Sequence, residues 1–324
     1  MKGMSECMDL LQTCDGAARI GIGGHIRPDG DCVGACLALS MYLKKELPEA
    51  EIKVFLEKPP AIFRGIKGFD EIETTFPKEE AFDVFFVLDT TPDRLGDGEI
   101  YFKEAKKTVN IDHHVSNSGS GDVNVMRPEI GSACEVLFDL MDPVNMDGDI
   151  AMALYIGMIH DTGVFQYSNT TPETLKKAAF LISFGFDFSK LIAETFYEKT
   201  YLQSQIMGRA LMESIRFMDG RCIVSAVDKK TMDFYDVVPG DFDGIVNQLK
   251  NIKGVDCAIF MYQTDVMEYK VSLRSNENVD VAAVASYFGG GGHVRAAGCN
   301  MKGTFHDCVN NLSLHIQKQM QENR

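Results

Sequence analysis

The sequence has no Cys-x-x-Cys pair, no apolar run approaching ~18 residues and no excess of positive charge, and each absence closes a class of function. Its nine cysteines, Cys7, Cys14, Cys32, Cys36, Cys134, Cys222, Cys257, Cys299 and Cys308, are odd in number and scattered, which fits neither a zinc ribbon nor a disulfide framework. Residues 1–9 place acids where a signal peptide would carry basic and then apolar residues, so a cytoplasmic protein without membrane contact is expected. With 32 Lys and Arg against 47 Asp and Glu, the net charge is −15. No broad basic surface can hold long duplex nucleic acid by counterion release. A phosphate-bearing partner must instead meet a local positive site, and an acidic chain can make one with bound divalent metal.

What is present is an ordinary folding composition, 45% apolar and 24% charged, over 324 residues, enough for two domains at roughly 150 residues each. The first half alternates short apolar strands with helical patterns, which predicts an α/β fold with a doubly wound, mostly parallel sheet. Strands are expected at Arg19–Gly24, Ile52–Leu56, Asp83–Leu88 and Thr108–Ile111, with helices at Val33–Leu47, Ser132–Met141, Asp149–Ile159 and Pro172–Phe184. Asp-Val-Phe-Phe-Val-Leu at 83–88 is nearly all apolar, as a strand covered on both faces should be. Residues 1–185 are therefore read as one domain, 186–215 as a helical connector, and 216–324 as a smaller α+β domain whose strands look antiparallel.

Chemistry concentrates where the first domain's elements end. His25-Ile-Arg-Pro-Asp29-Gly-Asp31 lies between a strand and a helix, at the carboxyl edge where open α/β sheets bind ligands. An imidazole with two carboxylates suits Mn²⁺ or a metal of similar hardness; the other reading is an Asx turn with Asp31 capping the next helix. The same kind of group recurs at Asp89, at Asp112-His113-His114 and at His160-Asp161-Thr162-Gly163. Separate caps would account for the aspartates but not for histidines arriving at the same edge, so the recurrence favours metal.

The ordered motifs His-x-x-Pro-Asp-x-Asp, Leu-Asp-Thr, Asp-His-His, Asp-Thr-Gly and a late Gly-Gly-Gly-His resemble the DHH phosphoesterases that carry a DHHA1 domain, and among them the stand-alone nano-RNase and pAp phosphatase type. The resemblance runs from about Ile20 to Ala297. It implies that His25, Asp29 and Asp89 hold one Mn²⁺ and that Asp31, Asp89, His113 and Asp161 hold a second, with Mg²⁺ or Co²⁺ as alternatives. His114 would then face the phosphoryl oxygens or orient a neighbour, Asp112 would fix a histidine tautomer, and Asn117 would approach substrate or cap a loop. His160 has no place in the motif and is read as an ordinary helix residue.

In the second domain, Gly290, Gly291 and Gly292 give a backbone without side-chain obstruction, followed by His293, and Arg274 shares a polar strand face with Lys270. The resemblance makes His293, Arg274 and the three glycines binders of substrate phosphate in a cleft between the domains. The function it implies is hydrolysis of short oligoribonucleotides to mononucleotides and of 3′-phosphoadenosine 5′-phosphate (pAp) to AMP, by in-line attack of a hydroxide shared by two metals. Partners are then short single-stranded RNA and small phosphorylated nucleotides, and a homodimer is left open. Phosphodiesterase action on c-di-AMP or pApA is the nearest alternative; inorganic pyrophosphatase and a non-catalytic nucleotide sensor stand further off.

Overall fold

Strands Arg19–Gly23 (β1), Glu51–Phe55 (β2), Val84–Leu88 (β3), Lys107–Asp112 (β4) and Val123–Met126 (β5) pair in the order β2-β1-β3-β4-β5, all parallel. The structure is a computed structural model that describes residues 8–78 and 81–322, except for the side chains of His293 and Glu322. It divides into two units, residues 1–198 and 199–324. β3 is buried along its whole length. Phe86 and Leu88 join the core under the helices, while Phe85 and Val87 pack with Phe55, Phe82, Leu95 and Tyr101 on the opposite face, which is the reason its sequence shows no polar alternation.

The helices of the first unit are Leu10–Thr13 (α1), Gly30–Glu46 (α2), Glu99–Glu104 (α3), Ala133–Leu140 (α4), Gly148–Asp161 (α5), Pro172–Ile182 (α6) and Phe188–Ile192 (α7). α2 is the central one and is buried on nearly every side. Its small residues permit this: a Cβ added at Gly34 would sit 2.5 Å from the Ala153 carbonyl oxygen of α5. The cap at the start of α2 is Asp29, whose carboxylate accepts from Asp31 N at 3.1 Å and Cys32 N at 3.2 Å. Asp31 is not the capping residue; it lies inside the first turn.

The second unit contains helices Tyr201–Met212 (α8), Lys229–Tyr235 (α9), Ile245–Lys250 (α10), Val281–Tyr287 (α11) and Phe305–Glu322 (α12). Its strands are Ile215–Phe217 (β6), Cys222–Val227 (β7), Cys257–Asp265 (β8), Glu268–Ser275 (β9), Gly291–His293 (β10) and Ala296–Lys302 (β11), ordered β10-β11-β9-β8-β7-β6. The expectation of antiparallel strands needs one correction. β7 and β8 run parallel, because the chain between them forms α9 and α10 and so returns to the same end of the sheet. The segment expected as a connector is divided between the units. α7 lies in the first, where Leu191 and Ile192 pack on its core, whereas α8 buries Ile206 and Ala210 in the core of the second.

Candidate metal centre

β1, β3 and β4 are the three central strands of the parallel sheet, and their carboxyl ends come out side by side, with Gly23 opposite Val87 and Leu88 opposite Ile111. His25 follows the first, Asp89 the second, and Asp112, His113 and His114 end the third. The start of α2 adds Asp29 and Asp31, and the end of α5 adds Asp161. Residues separated by more than a hundred positions thus meet at one sheet edge because parallel strands deliver their ends to the same place.

Three overlapping groups of donor atoms result, each within 4.8 Å: His25, Asp29 and Asp89; Asp31, His113 and Asp161; and Asp89, Asp112, His113 and His114, of which the first two are the sets expected to hold metal. His25 Nε2 lies 3.7 Å from Asp29 Oδ2 and 3.4 Å from Asp89 Oδ2. His113 Nε2 lies 3.1 Å from Asp161 Oδ2, 3.3 Å from Asp89 Oδ1 and 3.8 Å from Asp31 Oδ2. Asp89 turns one oxygen to each set. Its backbone is left-handed, φ 59°, a conformation aspartate tolerates better than most residues but which still needs support. Support comes from Asn110, whose side-chain amide donates to the Val87 and Thr90 carbonyls on either side of the turn, at 3.1 and 2.9 Å.

The donor set fits divalent cations on a direct test. Among the described residues, Asp89 Oδ1 and His113 Nε2 are buried and neither has a hydrogen-bond partner. Buried polar atoms are rarely left so, and a cation between them would satisfy both. Histidine tautomers agree: His25 Nδ1 sits 2.9 Å from the Ile26 carbonyl oxygen, and donating there leaves Nε2 as the lone-pair donor facing the carboxylates. Oxygen and imidazole nitrogen without thiolate suit a metal such as Mn²⁺ or Mg²⁺ better than a soft one.

Electrostatics report the same crowding. Burial disfavours a charged His113, but Asp161 and Asp89 overcome it and push the imidazole up to about 12. His25 is likewise raised, burial opposing and Asp29 and Asp89 prevailing. Asp31, fully buried, is raised first by desolvation and then by the charges of Asp89 and Asp161, and Asp161 is raised first by desolvation. The cluster therefore binds protons more tightly than the same side chains would apart.

His114 belongs to the third group, its Nδ1 3.6 Å from Asp89 Oδ1. Its Nδ1 donates to Asp112 Oδ1 at 2.7 Å, and this contact is the largest cause of its raised pKa. The same Asp112 oxygen accepts from the backbone N of His113 and His114, at 2.7 and 3.1 Å. Asn117, read as approaching substrate or capping a loop, is buried: Nδ2 donates to Asp112 Oδ2 at 2.6 Å and to Asn110 Oδ1 and the Thr90 carbonyl at 3.1 Å. It positions Asp112 rather than reaching outward. His160 packs its ring edge-on against Phe63 and Phe196 and joins neither donor set.

One contact was not visible in sequence. Asp31 Oδ2 and Oδ1 accept from Ala133 N at 2.6 Å and Cys134 N at 2.9 Å, so the N-terminus of α4 holds this carboxylate in place. The only sequence signal was the small-residue run Gly131-Ser132-Ala133 before the helix.

In the second unit, the glycine run is an edge strand rather than a loose loop. Gly291 pairs with Gly298 and Gly292 with Ala297, and a Cβ at Gly290 or Gly292 would collide with the β11 backbone, while Gly291 is open on that side. Two of the three glycines are thus required for strand contact. Arg274 is half-buried on β9, with Nε donating to Asn247 Oδ1 at 3.1 Å. The His293 side chain lies outside the described residues.

Residues 19–158 match the DHH family N-terminal domain and residues 219–322 match the DHHA1 domain. The chain belongs to the DHH family, in the two-domain form that carries DHHA1. It is 29% identical over 299 residues to the bifunctional oligoribonuclease and PAP phosphatase NrnA of Thermus thermophilus, covering 91% of this chain and 87% of that protein. The protein of the same name from Bacillus subtilis is 26% identical over 300 residues, covering 90% and 92%. An exopolyphosphatase-related protein from Bacteroides fragilis has the same fold, with a TM-score of 0.88 at 24% identity over 96% of this chain and 95% of that one.

Proposed function

We propose that this chain is a metal-dependent phosphoester hydrolase that cleaves short oligoribonucleotides to mononucleotides and converts pAp to AMP. The observation that carries the reading is the pair of donor sets meeting at Asp89, with two buried polar atoms lacking any other partner; similarity over most of the chain to proteins named for these activities supports it. His25, Asp29 and Asp89 would hold one Mn²⁺, and Asp31, Asp89, His113 and Asp161 a second. When bound, such cations supply positive charge to the phosphoryl oxygens and acidify an attacking water.

The chain's own residues do the rest. Asp112 raises the pKa of His114 and aims its ring, so that the protonated imidazole would face the phosphoryl group and offset charge that develops as the bond breaks. Arg274, His293 and the amides of Gly290, Gly291 and Gly292 bind the substrate's phosphate. A net charge of −15 opposes a long polyanion beyond the centre, which favours short substrates. Eight described cysteines are free, which suits a reducing cytoplasm; among the described residues no helix is long and apolar enough to cross a membrane.

The test is a panel of labelled dinucleotide, pAp, pApA and c-di-AMP at fixed Mn²⁺. Mononucleotide from the dinucleotide and phosphate from pAp are expected; turnover of c-di-AMP or pApA alone would overturn the substrate assignment. Asp89→Ala, which removes the shared group, should lower kcat by at least about 10²–10³-fold, measured on the same dinucleotide.

A further inference from the structure

A cavity of about 560 Å³, open to solvent, is lined by Arg27, Pro28, Glu57, Lys58, Phe76 and Asp97 among others. Its size is that of a small-ligand site. Its lining joins the centre through the chain. Arg27, at φ 56°, lies between His25 and Asp29 in the chain, so one turn presents metal donors to the centre and a guanidinium to the cavity. Glu57 pins that turn by accepting from Arg27 N at 3.1 Å, and the Arg94 carbonyl accepts from Ile26 N at 2.8 Å.

The charge pattern singles this place out. Among the described residues of the first unit, every other lysine and arginine reaches a carboxylate or a backbone carbonyl. Among the described residues, Arg27, Lys58, Lys78 and Arg94 form no ion pair. Two of these line the cavity, Lys78 is two positions from Phe76, and Arg94 is bonded through its backbone to the same turn. Arg27 and Lys58, two cations in one cavity of an acidic protein, match a phosphate. Phe76, held by Phe55 and Tyr101 at ring distances of 6.2 and 6.3 Å, adds a flat surface for a base. Glu57 and Asp97 are acceptors of the kind that bind ribose hydroxyls.

We infer that this cavity is a subsite for one nucleoside monophosphate unit, the third unit of an oligoribonucleotide, one unit further from the phosphoester being cut than a dinucleotide reaches. The assignment of that unit to a substrate rests on the function proposed above; the cavity's affinity for a nucleotide does not. Substrates longer than a dinucleotide would then gain binding from Arg27 and Lys58 that a dinucleotide does not use.

Two measurements separate these claims. Photolabelling of the full chain with 8-azidoadenosine 5′-monophosphate, followed by peptide mapping, should mark residues 57–76, and Lys58→Glu should weaken that mark; no label in this segment overturns the subsite. In steady-state kinetics on oligoribonucleotides of two to five units, Lys58→Glu and Arg27→Gln should raise KM for the pentamer by about tenfold, the size of one lost charge-assisted contact. A KM change that is equal for all lengths, or no change for the pentamer, overturns the link to longer substrates. Should the wild type label at 57–76 and cleave no oligonucleotide, the proposed function fails and the nucleotide subsite stands.

Discussion

Asp112 accepts from the backbone N of His113 and holds His114, the residue proposed to face the phosphoryl group. Its carboxylate raises the pKa of His114 chiefly through the 2.7 Å hydrogen bond, so His114 keeps its proton to higher pH than a free imidazole would. Asp112→Asn removes the charge, lets the His114 pKa fall, and should move the alkaline limb of the pH profile of kcat/KM to lower pH, with a loss of about 10–100-fold at neutral pH. An unchanged profile would deny His114 a role as an acid or cation. Gly157 shows how closely the site is packed: an added Cβ would lie 2.5 Å from Asp31 Oδ1 and would collide with Cys134 Sγ. Gly157→Ala should therefore displace Asp31 and weaken divalent-metal binding, read by isothermal titration, more than it lowers thermal stability.

At the scale of elements, most of the site was legible because each donor ends an apolar strand or helix, and the ends of parallel strands share an edge. His25, Asp89, His113 and Asp161 could be placed together on that ground alone. The short strands were harder. Val123–Met126 alternates over only four residues, and Gly291–His293 carries almost no side-chain signal. The parallel pairing of β7 with β8 is set by the helices between them and is written in neither strand. Asn117 could not be assigned, since an asparagine that binds substrate and one that serves a buried loop look alike in sequence. Asp83 illustrates an element-level tie: it accepts from Ala18 N and Arg19 N at 2.9 Å and from Lys106 at 2.7 Å, joining the starts of β1, β3 and β4. Lys106 and these amides hold its pKa down at about 2, against ~3.9 when unfolded. The stabilisation from its charge is present above that unfolded value and lost as pH falls towards 2. Asp83→Asn should cost about 1 kcal/mol at neutral pH, and the gap from wild type in thermal melts should close between about pH 4 and pH 2.

For the whole molecule, the metal centre is a concentration of like charge inside a chain already at −15. Without cations, burial and their neighbours raise Asp31 and Asp161 above the ordinary carboxylate range, and the adjoining carboxylates push His113 up to about 12. All three have folded-state pKa values above their unfolded ones. The stability they contribute is full below the unfolded values, ~3.9 for Asp and ~6.5 for His, and declines as pH rises toward the folded ones. Metal binds the deprotonated forms, so its affinity rises over the same range as protons leave. Chelator-treated protein should therefore melt at progressively lower temperature from pH 6.5 to pH 9. Mn²⁺ at about 100 times its dissociation constant should raise the midpoint by about 5–10 °C, and by more at pH 9 than at pH 6.5. Asp89→Ala should lose most of that gain. Scanning calorimetry across the two pH values decides it: a gain that shrinks with rising pH, or that survives in Asp89→Ala, would mean that the cations bind elsewhere.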